Sequence, residues 1–470
     1  MTQPAPDRPP ARPSGPARRG SRLEPLDAHA PSPDFNGLSE HAARRTMRMS
    51  VLEGAFAMVF INWTAGSVLT GYALYLGANA FQLGLLGSLP LLAQASAPFA
   101  AWMAGRAGRR KPLAMLFALL GRGAWLFAAA LPLLIAPGPL RVDALLALIL
   151  VSSLLVTANS TLWQSWIGDV VPRRERGRYF GFRSSFLGAI GTAANLLAGV
   201  LLDAMHKPQG FQAVLLIAVI SGVTAALTLT MHAEPEVKST RLRLVDTFTE
   251  PLKHQNFRAF LAFAVFWTFA VLTASPFVTP YFLSHLRMTF TQVAIWSTIS
   301  SVLGLFLGPM WGRISDRSGY KPILALATVG AGTLLPISWM LATPENLLPI
   351  WVAAAFDSLV WQAIGPAYFN LSLAATPQAN RASFLGMLFM VTGLAGFAGG
   401  LLSGPMLNFF SGHALLLGSF HWTGYHWLFA LSGALRACAW LFLRGVREEG
   451  AWRTRDLMTM PVRRGIRGAP

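Results

Sequence analysis

Polar positions are sparse along this chain, and they cluster. From about residue 50 onward, long apolar stretches alternate with short gaps that hold most of the Lys, Arg, Asp and Glu. A helix needs about 20 apolar residues to cross a hydrocarbon layer about 30 Å thick. Twelve stretches reach that length: 50–77, 80–105, 112–136, 141–168, 178–203 and 210–232, then 256–284, 290–314, 321–342, 346–372, 382–411 and 423–446. Glycine and proline recur inside them, as lipid-embedded helices allow. The longest gap, 233–255, is mixed in charge, predicts a linker with one interfacial helix, and divides the set into six and six. The expected organisation is a tail over 1–48 turning helical near Ser39, a six-span bundle over 49–232, the linker over 233–255, a second bundle over 256–446 and a tail over 447–470.

Composition agrees with a lipid environment. The 470 residues are 53% hydrophobic and 12% charged, against about 25% charged in soluble domains. A net charge of +18 would suit nucleic acid, but the basic residues occupy the gaps and tails. That placement excludes nucleic acid as a partner and predicts membrane lipids instead. Nine prolines between Pro4 and Pro33 predict a disordered first segment, and residues 1–48 lack the apolar core of a secretory signal. Cys438 is the single cysteine, so no internal disulfide can form.

The gaps alternate between basic and nearly neutral. Arg106, Arg109, Arg110 and Lys111 follow the second stretch, Arg173, Arg174, Arg176 and Arg178 the fourth, Arg317 and Lys321 the eighth, and Arg381 the tenth. Basic loops stay in the cytoplasm. This predicts a multi-pass protein of the plasma (inner) membrane with both termini cytoplasmic.

Two pairs of gaps also match each other. "APFAAWMAGRAGRRK" from Ala97 falls on "GPMWGRISDRSGYKP" from Gly308 at a shift of 211, pairing Gly105 with Asp316, Arg106 with Arg317 and Gly108 with Gly319. "PRRERGRYFG" from Pro172 and "PQANRASFLG" from Pro377 share Pro, Arg (Arg176, Arg381) and Gly at a shift of 205. Together they indicate a duplicated six-span unit, and parallel repeats place a solute site near the midplane between the copies. Small residues four apart, Ala93 to Gly105 and Gly304 to Gly312, let neighbouring helices approach closely.

"GRISDRSGYK" resembles the loop signature of the major facilitator superfamily, Gly-x-x-x-Asp-Arg-x-Gly-Arg-Arg/Lys, and "AWMAGRAGRRK" is a partial copy. The resemblance covers about residues 50–446. It implies an all-α integral membrane fold of twelve transmembrane helices in two pseudo-symmetric six-helix bundles. It further implies a secondary transporter working by alternating access, with spans 1, 4, 7 and 10 around a central cavity and spans 3, 6, 9 and 12 outside. Gly312, Asp316, Arg317, Gly319 and Lys321 then form the gating motif, with Arg106, Gly108, Arg176 and Arg381 in the related loops. Asp316 would sit on the positive N-terminus of span 5, or pair with Arg176, Arg178 or Arg183, and latch the cytoplasmic side; a plain turn cap is the competing role. Gly105 stands where the family has Asp, so the first copy lacks that carboxylate.

Ionisable groups at membrane depth are costly and functional by default. Asp357 either carries a coupling proton or pairs with an arginine of its bundle. Glu53 is the second coupling candidate, with contact to lipid headgroups as its competing reading. Arg122 and Arg436 are read as structural partners. Candidates for the cavity wall are Asn62, Trp63, Asn159, Trp163, Gln164, Trp267, Asp357, Trp361 and Gln362. Their amides and indoles suit a neutral or weakly polar organic solute, although Trp also anchors interfaces and amides also bridge helices. There is no P-loop, no His-Glu-x-x-His, no Cys pair and no nucleophile with an acid–base partner. The sequence therefore predicts no enzyme, no catalytic residue, no metal and no cofactor beyond a coupling proton or Na+. A monomeric symporter or antiporter of a small-molecule solute is the expectation. A lipid flippase or lysolipid transporter on the same fold, or a transport-inactive sensor, are the alternatives.

Overall fold

The computed structural model describes residues 37–107, 109–172, 174–235, 244–377, 381–417, 420–452 and 454. Among them, twelve helices are long and apolar enough to cross a membrane, one for each stretch read from the sequence. Span 1 is α1 (Glu40–Trp63) and α2 (Gly66–Tyr75), and span 2 is α3 (Ala80–Gln94) and α4 (Ala97–Ala107). Spans 3 to 6 are α5 (Lys111–Leu134), α6 (Pro139–Val170), α7 (Arg176–Ala204) and α8 (Gln209–Thr228). The linker holds α9 (Leu244–Lys253). Span 7 is α10 (Gln255–Leu272), α11 (Ser275–Pro280) and a π-helical turn, Tyr281–His285. Spans 8 to 11 are α12 (Phe290–Ser318), α13 (Tyr320–Met340), α14 (Leu348–Ala374) and α15 (Arg381–Ser411). A short hairpin, β1 (Leu415–Leu417) and β2 (Phe420–Trp422), precedes span 12, α16 (Gly424–Cys438) with α17 (Trp440–Leu443).

The first helix starts at Glu40 because Ser39 caps it, its Oγ accepting from Ala42 N at 3.3 Å. That is ahead of the bundle boundary expected at 49. Residues 1–36, most of the expected second tail and Gly108 lie outside the described residues. Arg106 and Arg381 have a described backbone, in α4 and α15, but their side chains lie outside as well.

Matching local contacts recur in the two halves. Spans 2 and 8 both open on a capping box, Asn79 with Gln82 and Thr289 with Gln292. Spans 3 and 9 both open on a glutamate that follows the last span of their own half. Glu234 accepts from the amides of Arg110 and Lys111, while Lys111 Nζ reaches Thr230 O at 2.7 Å and His232 O at 2.8 Å. Glu448 accepts from Tyr320 N at 2.9 Å and Lys321 N at 2.7 Å, while Lys321 Nζ reaches Val446 O at 2.6 Å. These contacts equate Lys111 with Lys321. The shift of 211 equated Arg110 with Lys321 instead, so the first copy carries one extra residue in this loop. Gly319 joins α12 to α13 at φ +87°, and a Cβ there would come within 2.7 Å of Ala451 Cβ. Both constraints require glycine at this motif position.

Candidate functional site

The wall of the site begins with two broken helices. Thr64 closes α1, its Oγ1 and its amide both bonding Phe60 O, at 2.7 and 3.0 Å. Thr273 closes α10 in the same way on Phe269 O, at 2.9 and 3.0 Å. Each break is followed by Ala, and each short piece is tied by a tyrosine: Tyr72 Oη donates to Ala128 O of α5 at 2.7 Å, and Tyr281 Oη to Trp339 O of α13 at 3.0 Å. Gly66 takes φ +55° just after the first break. Broken helices leave backbone groups facing an internal space, as transporter sites require.

Between the halves lies a cavity of about 430 Å³, lined from span 1 by Met58, Asn62 and Ser67, from α7 by Gly191, Thr192 and Asn195, from span 7 by Thr279 and Phe282, and from α12 by Trp296, Ser297, Thr298 and Ser301, among others. Hydroxyls and amides alternate with apolar groups, the mixture of a small-molecule site. Trp296 Nε1 is buried there without a hydrogen-bond partner among the described residues.

The cavity is closed at one end. We call the end carrying the Arg-rich loops the basic end and its opposite the far end. At the far end, Asp203 on the last turn of α7 accepts from Phe290 N at 3.0 Å and Thr291 N at 2.8 Å, the first amides of α12. Among the described residues these are the hydrogen bonds that join the halves. Alongside, α3 and α15 meet through glycines: a Cβ on Gly400 would fall 2.4 Å from Ser88 Cβ, and one on Gly84 2.5 Å from Gly400 O. At the basic end, by contrast, a Cβ on Gly181 of α7 or Gly312 of α12 would meet nothing within 4 Å. Asp316, on the last turn of α12, is exposed, and Arg317 is exposed beside it. Arg176 bonds Val171 O at 3.1 Å, closing α6.

The residues singled out from sequence divide into three groups. Asn62 reaches the cavity, its Nδ2 donating to Met58 O at 2.8 Å. Trp63 does not: it is 2% exposed and braces span 1 to span 5 through Nε1 to Ala194 O at 2.6 Å. Spans 4 and 10, expected around the cavity, contribute no lining residue to it. Closure at the far end brings α7 and α12 together and leaves these spans to pack within their own halves. Gln362 fills the space against Gly304 and Gly308, Trp267 packs on Trp361 at 6.1 Å between ring centres, and Gln164 is exposed.

The third group is ionic. Glu53 is 5% exposed and sits between Arg122, at 3.4 Å, and Arg183, at 3.6 Å. Contact with lipid headgroups is thereby overturned, because both cations hold the carboxylate inside the bundle. Arg122 also donates to Gly222 O at 3.0 Å, and Arg183 lies 4.4 Å over the Trp163 ring. In the second half, Asp357 accepts from Ser300 Oγ at 2.7 Å, one residue from the cavity-lining Ser301. Arg436 donates to Val271 O at 3.1 Å. The polar residues of α7 and α12 were missed because their faces are read only once the tilt of the halves is known. The paired Thr-Ala breaks were legible as "NWTAG" and "VLTAS" at an offset of 209.

Comparison with known proteins gives a coherent result. The family model for the Major Facilitator Superfamily matches residues 52–400 and 259–462. A Haemophilus influenzae protein, named for metabolite transport, is 25% identical over 242 residues; the match spans 47% of this chain and 58% of that relative's length. Crystal structures of a nucleoside transporter variant (TM-score 0.69, 13% identity, 86% of this chain and all of that one) and of a D-xylose-proton symporter (TM-score 0.64, 14% identity, 88% and 99%) share the fold. The protein is thus a multi-pass integral membrane protein, and the chain belongs to the Major Facilitator Superfamily.

Proposed function

We propose that this protein is a secondary active transporter that moves a small organic solute by alternating access. The observation that carries the reading is the capping of α12 by Asp203 beside a cavity of about 430 Å³. By the rule that basic loops stay cytoplasmic, the basic end faces the cytoplasm, and the structure is the inward-open state. Helices α7 and α12 are each 29 residues long and each carries an aspartate in its last turn, Asp203 and Asp316. Reciprocal use follows from that symmetry. When the halves rock the other way, Asp203 releases α12 and Asp316 takes the N-terminus of α7. The solute is held by the hydroxyls and amides of spans 1, 5, 7 and 8. Asp357, touching α12 through Ser300, is the proposed coupling group, with a proton or Na+ as the driving ion. Flux in reconstituted vesicles tests this: a solute gradient should build when a proton or Na+ gradient is imposed. Ligand binding with no flux under either gradient overturns the carrier.

A further inference from the structure

Five ionisable side chains among the described residues are buried or half-buried and lie at least seven residues inside both ends of their span: Glu53, Arg122, Arg183, Asp357 and Arg436. Their formal charges leave one positive charge in excess at membrane depth, where an uncompensated charge is costly. The excess falls in the first half. The second half holds one carboxylate and one guanidinium at this depth, Asp357 and Arg436, whereas Glu53 alone serves both Arg122 and Arg183.

Arg183 is the loosely held member. Arg122 has a bond of 3.0 Å to Gly222 O, and Arg436 one of 3.1 Å to Val271 O. The recorded contacts of Arg183 are 3.4 Å from Nε and from Nη2 to Ser50 O, and 3.6 Å from Nη2 to Glu53. These are long beside the usual 2.9–3.0 Å. The guanidinium lies over Trp163, whose Nε1 is buried without a hydrogen-bond partner among the described residues. One turn earlier on α6, Asn159 is 4% exposed and its Oδ1 is equally unpartnered. Arg183 stands about two turns before Gly191 and Thr192, which line the cavity from the same helix.

We propose that Arg183 and the indole N–H of Trp163 form an anion subsite of the solute path, taking the carboxylate or phosphate group of a small organic anion. The inference rests on the carrier reading above and names the class of solute. A guanidinium offers paired donors that fit both groups, and stacking on an indole fixes its plane. Glu53 is then the resident counter-ion: the solute displaces it from Arg183 and leaves it on Arg122. Asn159 Oδ1 supplies an acceptor for a hydroxyl or amide on the same solute.

The test uses the full chain in phosphatidylcholine nanodiscs, which carry no net negative charge. Thermal unfolding is followed during titration with benzoate, succinate and glucose 6-phosphate at constant ionic strength, with xylose and uridine as uncharged controls. At least one anion should stabilise the protein saturably, with at least tenfold weaker affinity in Arg183→Gln, partial retention in Arg183→Lys and tighter binding in Glu53→Gln. Trp163→Phe, which keeps the ring but removes its N–H, should weaken the anion response without creating one to the controls. No response to any of the three anions, a response to the uncharged probes alone, or an anion response that survives Arg183→Gln overturns the subsite. Vesicle flux separates the two readings. Anion binding without flux keeps the subsite and removes the carrier, while flux of an uncharged solute that is indifferent to Arg183→Gln does the reverse.

Discussion

Asp203 and Phe290 hold the two halves together at the far end: the carboxylate accepts from Phe290 N at 3.0 Å, and its second oxygen from Thr291 N at 2.8 Å. A carboxylate on the first amides of a helix contributes up to about 1 kcal/mol at an exposed position. Asp203→Asn should therefore shift the population by roughly fivefold toward the state open at the far end. In a Cys438→Ser background, a cysteine at Asn195 should react faster with a membrane-impermeant maleimide applied from that side. Equal rates with and without Asp203 would dismiss the contact as a gate.

Gly400 tests the neighbouring seam. A Cβ there falls 2.4 Å from Ser88 Cβ, and both atoms lie on packed helices. Gly400→Val forces α3 and α15 apart, and overpacking of this kind costs about 1–3 kcal/mol. The same maleimide assay should show the far end open in most molecules. A variant that remains closed and transports at the wild-type rate would mean the seam gives way locally.

Glu448 and Glu234 do the same work in the two halves. Replacing either with Ala removes the acceptor from two backbone amides at the start of α13 or α5. Loss of a helix cap costs about 1 kcal/mol. Each variant should unfold a few degrees lower. The double variant should show the sum, since distant sites add to within about 0.5 kcal/mol. A large departure from additivity would show that the fastenings are not independent.

Asp357→Asn keeps the shape and the bond from Ser300 but loses the charge. Once a transported solute is identified, the variant should bring gradient-driven accumulation down to equilibration while leaving solute exchange within about twofold. Unchanged accumulation removes Asp357 from coupling.

Acid should release Arg44 from Glu175. The two are paired at 2.9 Å, and this hydrogen bond holds the Glu175 carboxyl below its ordinary 4.5. A lowered carboxylate stabilises the fold in full above its ordinary value, and the contribution disappears as pH falls through the lowered one. The melting-temperature gap between wild type and Glu175→Gln should be small, because the pair is exposed. It should also be constant from pH 7 to about pH 5 and gone by about pH 2. A gap that persists in acid would assign it to another contact.

The spans were legible because membrane crossing depends on local apolar length. The twinned loops were legible because both copies kept Arg and Gly at fixed spacing. The site was less so. Whether Asn62 faces a cavity and Trp63 a neighbouring carbonyl depends on how far α1 turns against α7. Glu53 stood undecided between coupling and headgroups because its neighbours, Arg122 and Arg183, are remote in sequence and only the fold brings them together.

Tyr72 and Tyr281 tie the short pieces beyond each helix break to α5 and α13. Those helices expose Leu120, Phe127, Leu133 and Ile337. In the proposed cycle, a swing of the short pieces about Thr64 and Thr273 would drag this exposed apolar surface with it. On the proposed carrier cycle, membrane thickness and lateral pressure would enter the energy of turnover, making the speed of the protein a property of the lipid around it as well as of its own sequence.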